Sequence, residues 1–309
     1  MILSPSVSQT IVLVLLMAAG FAAGKMKVLD ATTGKGLSKL LVDFVLPAMI
    51  LESMQKPFDP ALRDLAFRVL GVSLAAYAAA MPLAVILFRA LGVKGAARGP
   101  YFVGAVFSNC AFMGFPVVEA LLGRDAIFFA SIANIPFQLL AFSLGAHALA
   151  SAAGRPARLG WRACVPPAAG AAVLGFAFFL RGLAFPDPLL RAFRTLGDMT
   201  TPLSMALIGS ILSRMDWKKA AGDWRLYALS AYRLAIFPAL LFAILAAAGA
   251  TGILLALPVI LAAMPVAANT AILAEAYGGD AETGSSLVLV STFLSVGTIP
   301  LLAFLVPGS

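Results

Sequence analysis

Apolar runs of roughly twenty residues recur along the whole chain, separated by short stretches that hold most of its charge. The run from Gly99 to Gly123, for example, carries one charged side chain, Glu119. A helix needs about 20 apolar residues to cross hydrocarbon. Backbone groups there must be satisfied within the segment, which leaves helices or closed barrels. The composition agrees: 61% of the residues are hydrophobic and 12% charged. Soluble domains run near half and a quarter, and a soluble fold could not cover this much apolar surface. The chain reads as an all-α integral membrane protein.

Reading between charged or Gly/Pro-rich breaks predicts ten transmembrane helices, at 7–24, 36–54, 66–91, 99–122, 125–150, 162–184, 192–213, 226–248, 252–277 and 282–306. The start, "MILSPSVSQT", lacks the basic opening of a secretory signal, and its apolar run continues to Gly24, which suits a spanning helix. No lipidation motif is present. The stretch "ASAAGRPARLGWR" divides the chain into a five-helix repeat at 1–150, a short cytoplasmic link at 151–161 and a second repeat at 162–309. "DFVLP" (Asp43 to Pro47) has a counterpart in "DMTTP" (Asp198 to Pro202), at an offset of 155. Pro82 and Pro238 match at 156, and "EALLGRDA" resembles "EAYGGDA" at nearly the same spacing. An odd number of helices per copy inverts the second copy in the membrane, a plan common among secondary transporters.

A formal net charge of +8 raises the question of nucleic acid, but in a membrane chain the distribution matters more. With the N-terminus outside, the inward loops hold Lys25, Lys27, Lys35, Lys39, Arg89, Lys94, Arg98, Arg155, Arg158, Arg162, Arg214, Lys218, Lys219 and Arg225. The outward loops hold half as many: Lys56, Arg63, Arg68, Arg124, Arg181, Arg191 and Arg194. The positive-inside rule then puts both termini outside a plasma (inner) membrane, with the bilayer as partner and no nucleic acid. Cys110 and Cys164 lack metal-ligand spacing and read as packing residues. The lone His147 cannot form a metal site and reads as an interfacial side chain.

The fourth and ninth segments interrupt themselves. "SNCAFMGFP" places Asn109, Gly114 and Pro116 in one apolar run, and "AAMPVAANT" places Pro265 and Asn269 in the other. Proline removes a donor and clashes with the preceding turn. In hydrocarbon the freed carbonyls cost several kcal/mol unless the break is buried in protein or lines a wet cavity. The ends of half-helices then offer amide donors and a positive dipole end for an anion. Asparagine adds a donor and an acceptor without a formal charge. A single kink is often only packing. Breaks at corresponding places in two halves point to a transport site.

These residues carry a resemblance. "SNCAFMGFPVVEALLG", "LPVILAAMPVAANTAILAEAYGGD" and "STFLSVGTIP" look like the auxin efflux carrier family, which includes plant auxin exporters and bacterial permeases for malate or related organic acids. The resemblance covers nearly the whole chain. It implies inverted five-helix repeats with helices four and nine unwound where they cross. Helices one, two, six and seven would form a scaffold, dimerising through helices two and seven. Helices three to five and eight to ten would form a transport domain moving like an elevator. Asn109 and Asn269 would contact substrate, with Ser108 and Thr270 beside them, and Gly114, Pro116 and Pro265 would hold the unwound geometry. The long cytoplasmic loop of the plant members is replaced here by the short link.

Charges inside the spans are the remaining candidates. Asp43 is open to two readings, proton uptake coupled to transport or local capping near the interface. Asp198 reads more as structural. Arg233 either attracts an anion or pairs with an acid, or it snorkels to the headgroups, which its place early in helix eight favours. Glu119 and Glu275 follow the breaks and read as water-boundary residues that could also serve a cation. No Walker motif, nucleophile elbow or metal motif occurs, so no enzyme, cofactor or metal is expected. The expected function is secondary transport of a small organic anion such as malate or an auxin-like acid. A sodium-coupled symporter of the bile-acid-carrier type and a ligand-binding receptor or channel are the alternatives.

Overall fold

The computed structural model describes residues 5–155, 166–214, 222–277 and 279–305. Arg158, Arg162, Cys164, Lys218 and Lys219 lie outside the described residues. Every regular element among the described residues is helical, and a single isolated bridge is the only strand-like pairing there.

The first half contains α1 (Pro5–Lys25), α2 (Ala31–Leu40), α3 (Leu46–Ser53), α4 (Pro60–Ala90), α5 (Arg98–Val106), α6 (Phe115–Leu122), α7 (Ala126–Leu140) and α8 (Ala146–Ala152). The second contains α9 (Pro167–Leu180), α10 (Asp187–Gly197), α11 (Thr200–Ser213), α12 (Trp224–Ala231), α13 (Phe237–Ala247), α14 (Ile253–Ala262), α15 (Asn269–Ala276) and α16 (Ala281–Leu305). Among the described residues, five continuous helical runs are long and apolar enough to cross a membrane: Ser8–Lys25, Pro60–Ala90, Ala126–Ala152, Trp224–Ala247 and Ala281–Leu302. The other apolar passages are built from shorter helices.

Aspartates in the charged breaks start helices. Asp30, Asp59, Asp223 and Asp280 accept hydrogen bonds from the amides of Thr33, Ala61, Arg225 and Thr283, donors that a helix start otherwise leaves unpaired. Wide π-helical turns join α2 to α3 (Leu41–Val45), α7 to α8 (Ala141–Gly145) and α12 to α13 (Tyr232–Ile236), and another, Cys110–Gly114, opens α6. Three of the four end just before a proline, at Pro47, Pro116 and Pro238. Proline cannot donate and crowds the preceding turn, so widening that turn by one residue relieves the clash while the helix continues. Pro82, paired by sequence with Pro238, instead sits within the uninterrupted α4.

Small residues set the closest packing. A Cβ on Gly20 would overlap the backbone of Ala206, and one on Gly209 would overlap the Met17 carbonyl, so α1 and α11 meet nearly backbone to backbone. In the same way Gly197 leaves room for the Met49 backbone and Gly175 for the Met54 side chain, which seats α3 between α9 and α10. At one end of the bundle Phe185 donates its amide to Gln55 at 2.8 Å and Lys56 pairs with Asp125. At the other, Arg214 reaches the Leu29 carbonyl at 2.7 Å and Arg225 the Leu91 carbonyl at 2.8 Å. The connections thus gather at two opposite faces, with the apolar helices between them.

Candidate functional site

The two interrupted passages meet at their breaks. Helix α5 stops at Val106, and the chain is extended at Phe107 and stays non-helical to Asn109 before turning helical again at Cys110. Helix α14 stops at Ala262, and the chain stays non-helical until α15 starts at Asn269. Ser108 and Val266 form an antiparallel bridge. The Asn109 amide donates to the Pro265 carbonyl at 2.8 Å, and the Ala267 amide donates to the Phe107 carbonyl at 3.1 Å. Each unwound stretch therefore satisfies the other, the accounting that buried backbone requires in the absence of water. Pro265 suits this place because its carbonyl is used and it has no amide left over. Ser291 completes the pairing by accepting from the Val266 amide at 3.1 Å.

Glycine permits the close approach. A Cβ on Gly104 would press on Val266 at 3.3 Å and one on Gly114 on Leu261 at 3.0 Å, so both glycines act through space rather than flexibility. Asn109 is buried and its side-chain oxygen accepts from the Phe112 amide at 3.2 Å, capping the helical segment that continues into α6. Asn269 opens α15 and is half-buried, and its side chain makes no hydrogen bond to a described residue. Thr270 beside it is fully buried, and its hydroxyl has no partner among the described residues.

Arg233 is the residue that sequence reasoning misplaced. It is 1% exposed and turned into the crossing rather than towards the headgroups. Its Nε donates to the Met264 carbonyl at 3.3 Å, and its Nη1 donates to the carbonyls of Ala105 at 3.1 Å and Val106 at 3.4 Å. The Phe237 ring lies 5.6 Å from the guanidinium. The carbonyls of Ala105 and Val106 belong to the C-terminal end of α5 and that of Met264 lies just past the end of α14, where helix dipoles are negative and acceptors unpaired. A cavity of about 30 Å³ adjoins the guanidinium, lined among others by Ser73, Tyr77, Ser108 and Pro258. It has room for about two waters, and a dicarboxylate would not fit without movement. Ser108 also contacts the Cys110 thiol at 3.1 Å. Tyr77 and Ser73, one helical turn apart on α4, were not singled out by sequence.

The acidic candidates are elsewhere. Asp43 lies in the wide turn between α2 and α3, half-buried and without a partner among the described residues. Glu275 ends α15 in an exposed position, and His147 is likewise exposed, beside Ser151. Glu119 and Asp198 join an ion cluster at the face that carries the Lys56–Asp125 pair. Arg124 contacts Asp198 at 2.6 Å, Glu52 at 3.3 Å and Glu119 at 3.4 Å; Arg194 contacts Glu52 at 3.0 Å. Thr201 donates to Glu119 at 3.0 Å. Burial works against the Arg124 cation, but the bond to Asp198 and the neighbouring carboxylates outweigh it and hold its pKa above the usual value. Asp125 is held below the usual carboxylate range by its bond to Lys56. No group of acids, histidines or cysteines that could hold a metal occurs among the described residues.

Apolar helices that break in pairs around a buried polar crossing are the plan of membrane transport proteins. The chain belongs to the membrane transport protein family, the auxin efflux carriers, which it matches over residues 5–158 and 157–303. It is 26% identical over 299 residues to an uncharacterized transporter of Methanothermobacter thermautotrophicus, covering 96% of each chain. It is 25% identical over 287 residues to a protein of Rhizobium meliloti named provisionally as a malonate transporter, covering 87% of this chain and 86% of the other.

Proposed function

We propose that this protein carries a small carboxylate across the membrane by alternating access, with the paired breaks at 107–109 and 263–268 as the site. The observation that carries the reading is the crossing itself. Two half-helix starts, at Asn109 and Asn269, open beside a backbone pairing in the apolar interior. Helix starts favour an anion, and Asn269 and Thr270 keep unused polar atoms there. The relative named for malonate supports a short dicarboxylate as the first ligand to try.

In this reading the chain forms two inverted five-helix repeats, whose matched stretches meet within the link. The scaffold comprises α1–α3 and α9–α11, and the remaining helices form the transport domain, which moves like an elevator. The scaffold assembles as a homodimer through the passages of α2–α3 and α10–α11. Both termini lie outside the plasma membrane, following the basic loops. The ion cluster around Arg124 joins the two domains at the outer face, and the small central cavity fits a state closed on that side. Asp43 is the proposed proton carrier.

The test is counterflow in liposomes. Purified protein loaded with unlabelled malonate should accelerate uptake of labelled malonate, and monocarboxylates and malate rank the preference. Trans-stimulation separates a carrier from a receptor or channel. Failure of every carboxylate to bind or to exchange in folded protein would refute the reading.

A further inference from the structure

Secondary carriers with broken helices use unwound carbonyls and half-helix C-terminal ends to hold a coupling cation. Carbonyl oxygens replace the water around an ion when several converge on one point. The crossing has this construction. The carbonyls of Ala105, Val106 and Met264, from the ends of two different broken passages, all accept from one guanidinium, Met264 from its Nε and the other two from its Nη1. The cation among them is Arg233.

Three features make this more than a packed arginine. No carboxylate among the described residues pairs with Arg233, so the dipoles of the two helix ends and the three carbonyls are what balance its charge. The titratable groups that face it, Tyr77, Cys110 and Tyr232, are neutral in their ordinary protonation state. Its Nη2 donates to no described residue, and the side chain borders the 30 Å³ cavity with Ser73, Tyr77 and Ser108. A side chain that served only to fill space would not need a charge here, where an unpaired ion is costly.

We infer that Arg233 is a resident cation, tethered at the place where a coupled carrier of this plan would bind a transported metal ion. It pins the two broken passages together through backbone oxygens, and the protein therefore works without sodium at the crossing. The sodium clause rests on the carrier reading above. The pinning clause does not, because it can be measured without any substrate.

The experiment compares guanidinium with urea, a neutral molecule of the same shape. Arg233→Ala leaves a guanidinium-sized gap that opens into the existing cavity. In detergent, millimolar guanidinium chloride should raise the Tm of Arg233→Ala by about 2 °C or more, as a ligand bound to the folded state does. Equal urea should not, and neither should shift the wild type. Sodium should stabilise Arg233→Ala relative to choline and leave the wild type unchanged. Arg233→Lys and Arg233→Gln keep the test sharp if the alanine variant fails to fold: lysine, which keeps the charge, should remain sodium-indifferent and glutamine should not. Rescue by urea equal to that by guanidinium, or glutamine matching wild type in Tm and sodium response, would overturn the inference. In liposomes, sodium-dependent exchange by the wild type would overturn the sodium clause alone, whereas loss of all exchange with the Tm pattern intact would count against the carrier reading instead.

Discussion

Arg124→Gln tests whether the ion cluster holds one face shut. Arg124 and Asp198 are 37% and 53% exposed, so their pair contributes about 0.5–1 kcal/mol. Glu52 is only 8% exposed, and it keeps Arg194 after the substitution. The loss there is one of its two charged hydrogen bonds, about 1.5 kcal/mol. The total, about 2 kcal/mol, corresponds to a roughly 30-fold shift between the closed arrangement and one in which the elements have parted. Thr200, two residues after Asp198, is 0% exposed and spends its hydroxyl on no partner among the described residues, so Thr200→Cys is a mild reporter. With Cys110 and Cys164 replaced, labelling by a membrane-impermeant maleimide in liposomes should be slow in the parent and about 30-fold faster with Arg124→Gln, since labelling tracks the opened population. Rates within about twofold of each other would mean that the cluster decorates the face and does not hold it.

Asn109→Ser keeps the cap on Phe112 and should fold normally, whereas Asn109→Asp keeps the cap but sets a negative charge at the crossing and should weaken carboxylate binding at least about tenfold, read by thermal shift with malonate. Equal affinity in both variants would remove Asn109 from the site. Gly209→Ala forces α1 and α11 apart at the Met17 carbonyl; overpacking of about 1–3 kcal/mol exceeds the alanine gain in helix propensity, so Tm should fall, while Gly71→Ala, with open space around it, should not lower it. Asp43→Asn should flatten the pH dependence of exchange in liposomes if Asp43 carries the proton, and an unchanged profile would end that assignment.

The breaks were legible because proline and asparagine in an apolar run conflict with a continuous helix, and the structure unwinds the chain at 107–109 and 263–268 beside Asn109, Pro265 and Asn269. Their contact was not, since it consists of backbone groups that any residue carries. Arg233 defeated the reading for a different reason. Counting from the helix start gives depth but not which way the side chain turns, and the wide turn at Tyr232–Ile236 alters the helical rotation there. Glu119, Arg124 and Arg194 each resembled an ordinary boundary charge, Asp198 read as structural, and nothing in the sequence singled out Glu52. Their convergence depends on how distant helices pack, which no local pattern encodes.

The bridge between Ser108 and Val266 and the grip of Arg233 share one property: apart from the guanidinium, every group in them is main chain. Substituting Ala105, Val106, Met264 or Val266 cannot delete a carbonyl or an amide. Side chains around the crossing can therefore differ without losing it, and the two breaks do differ: Asn109 precedes Pro116, whereas Pro265 precedes Asn269. The junction is written mainly in chain path, and a single change of residue threatens it only where a side chain, or the lack of one, takes part: at Arg233, Ser291, Gly104 and Gly114.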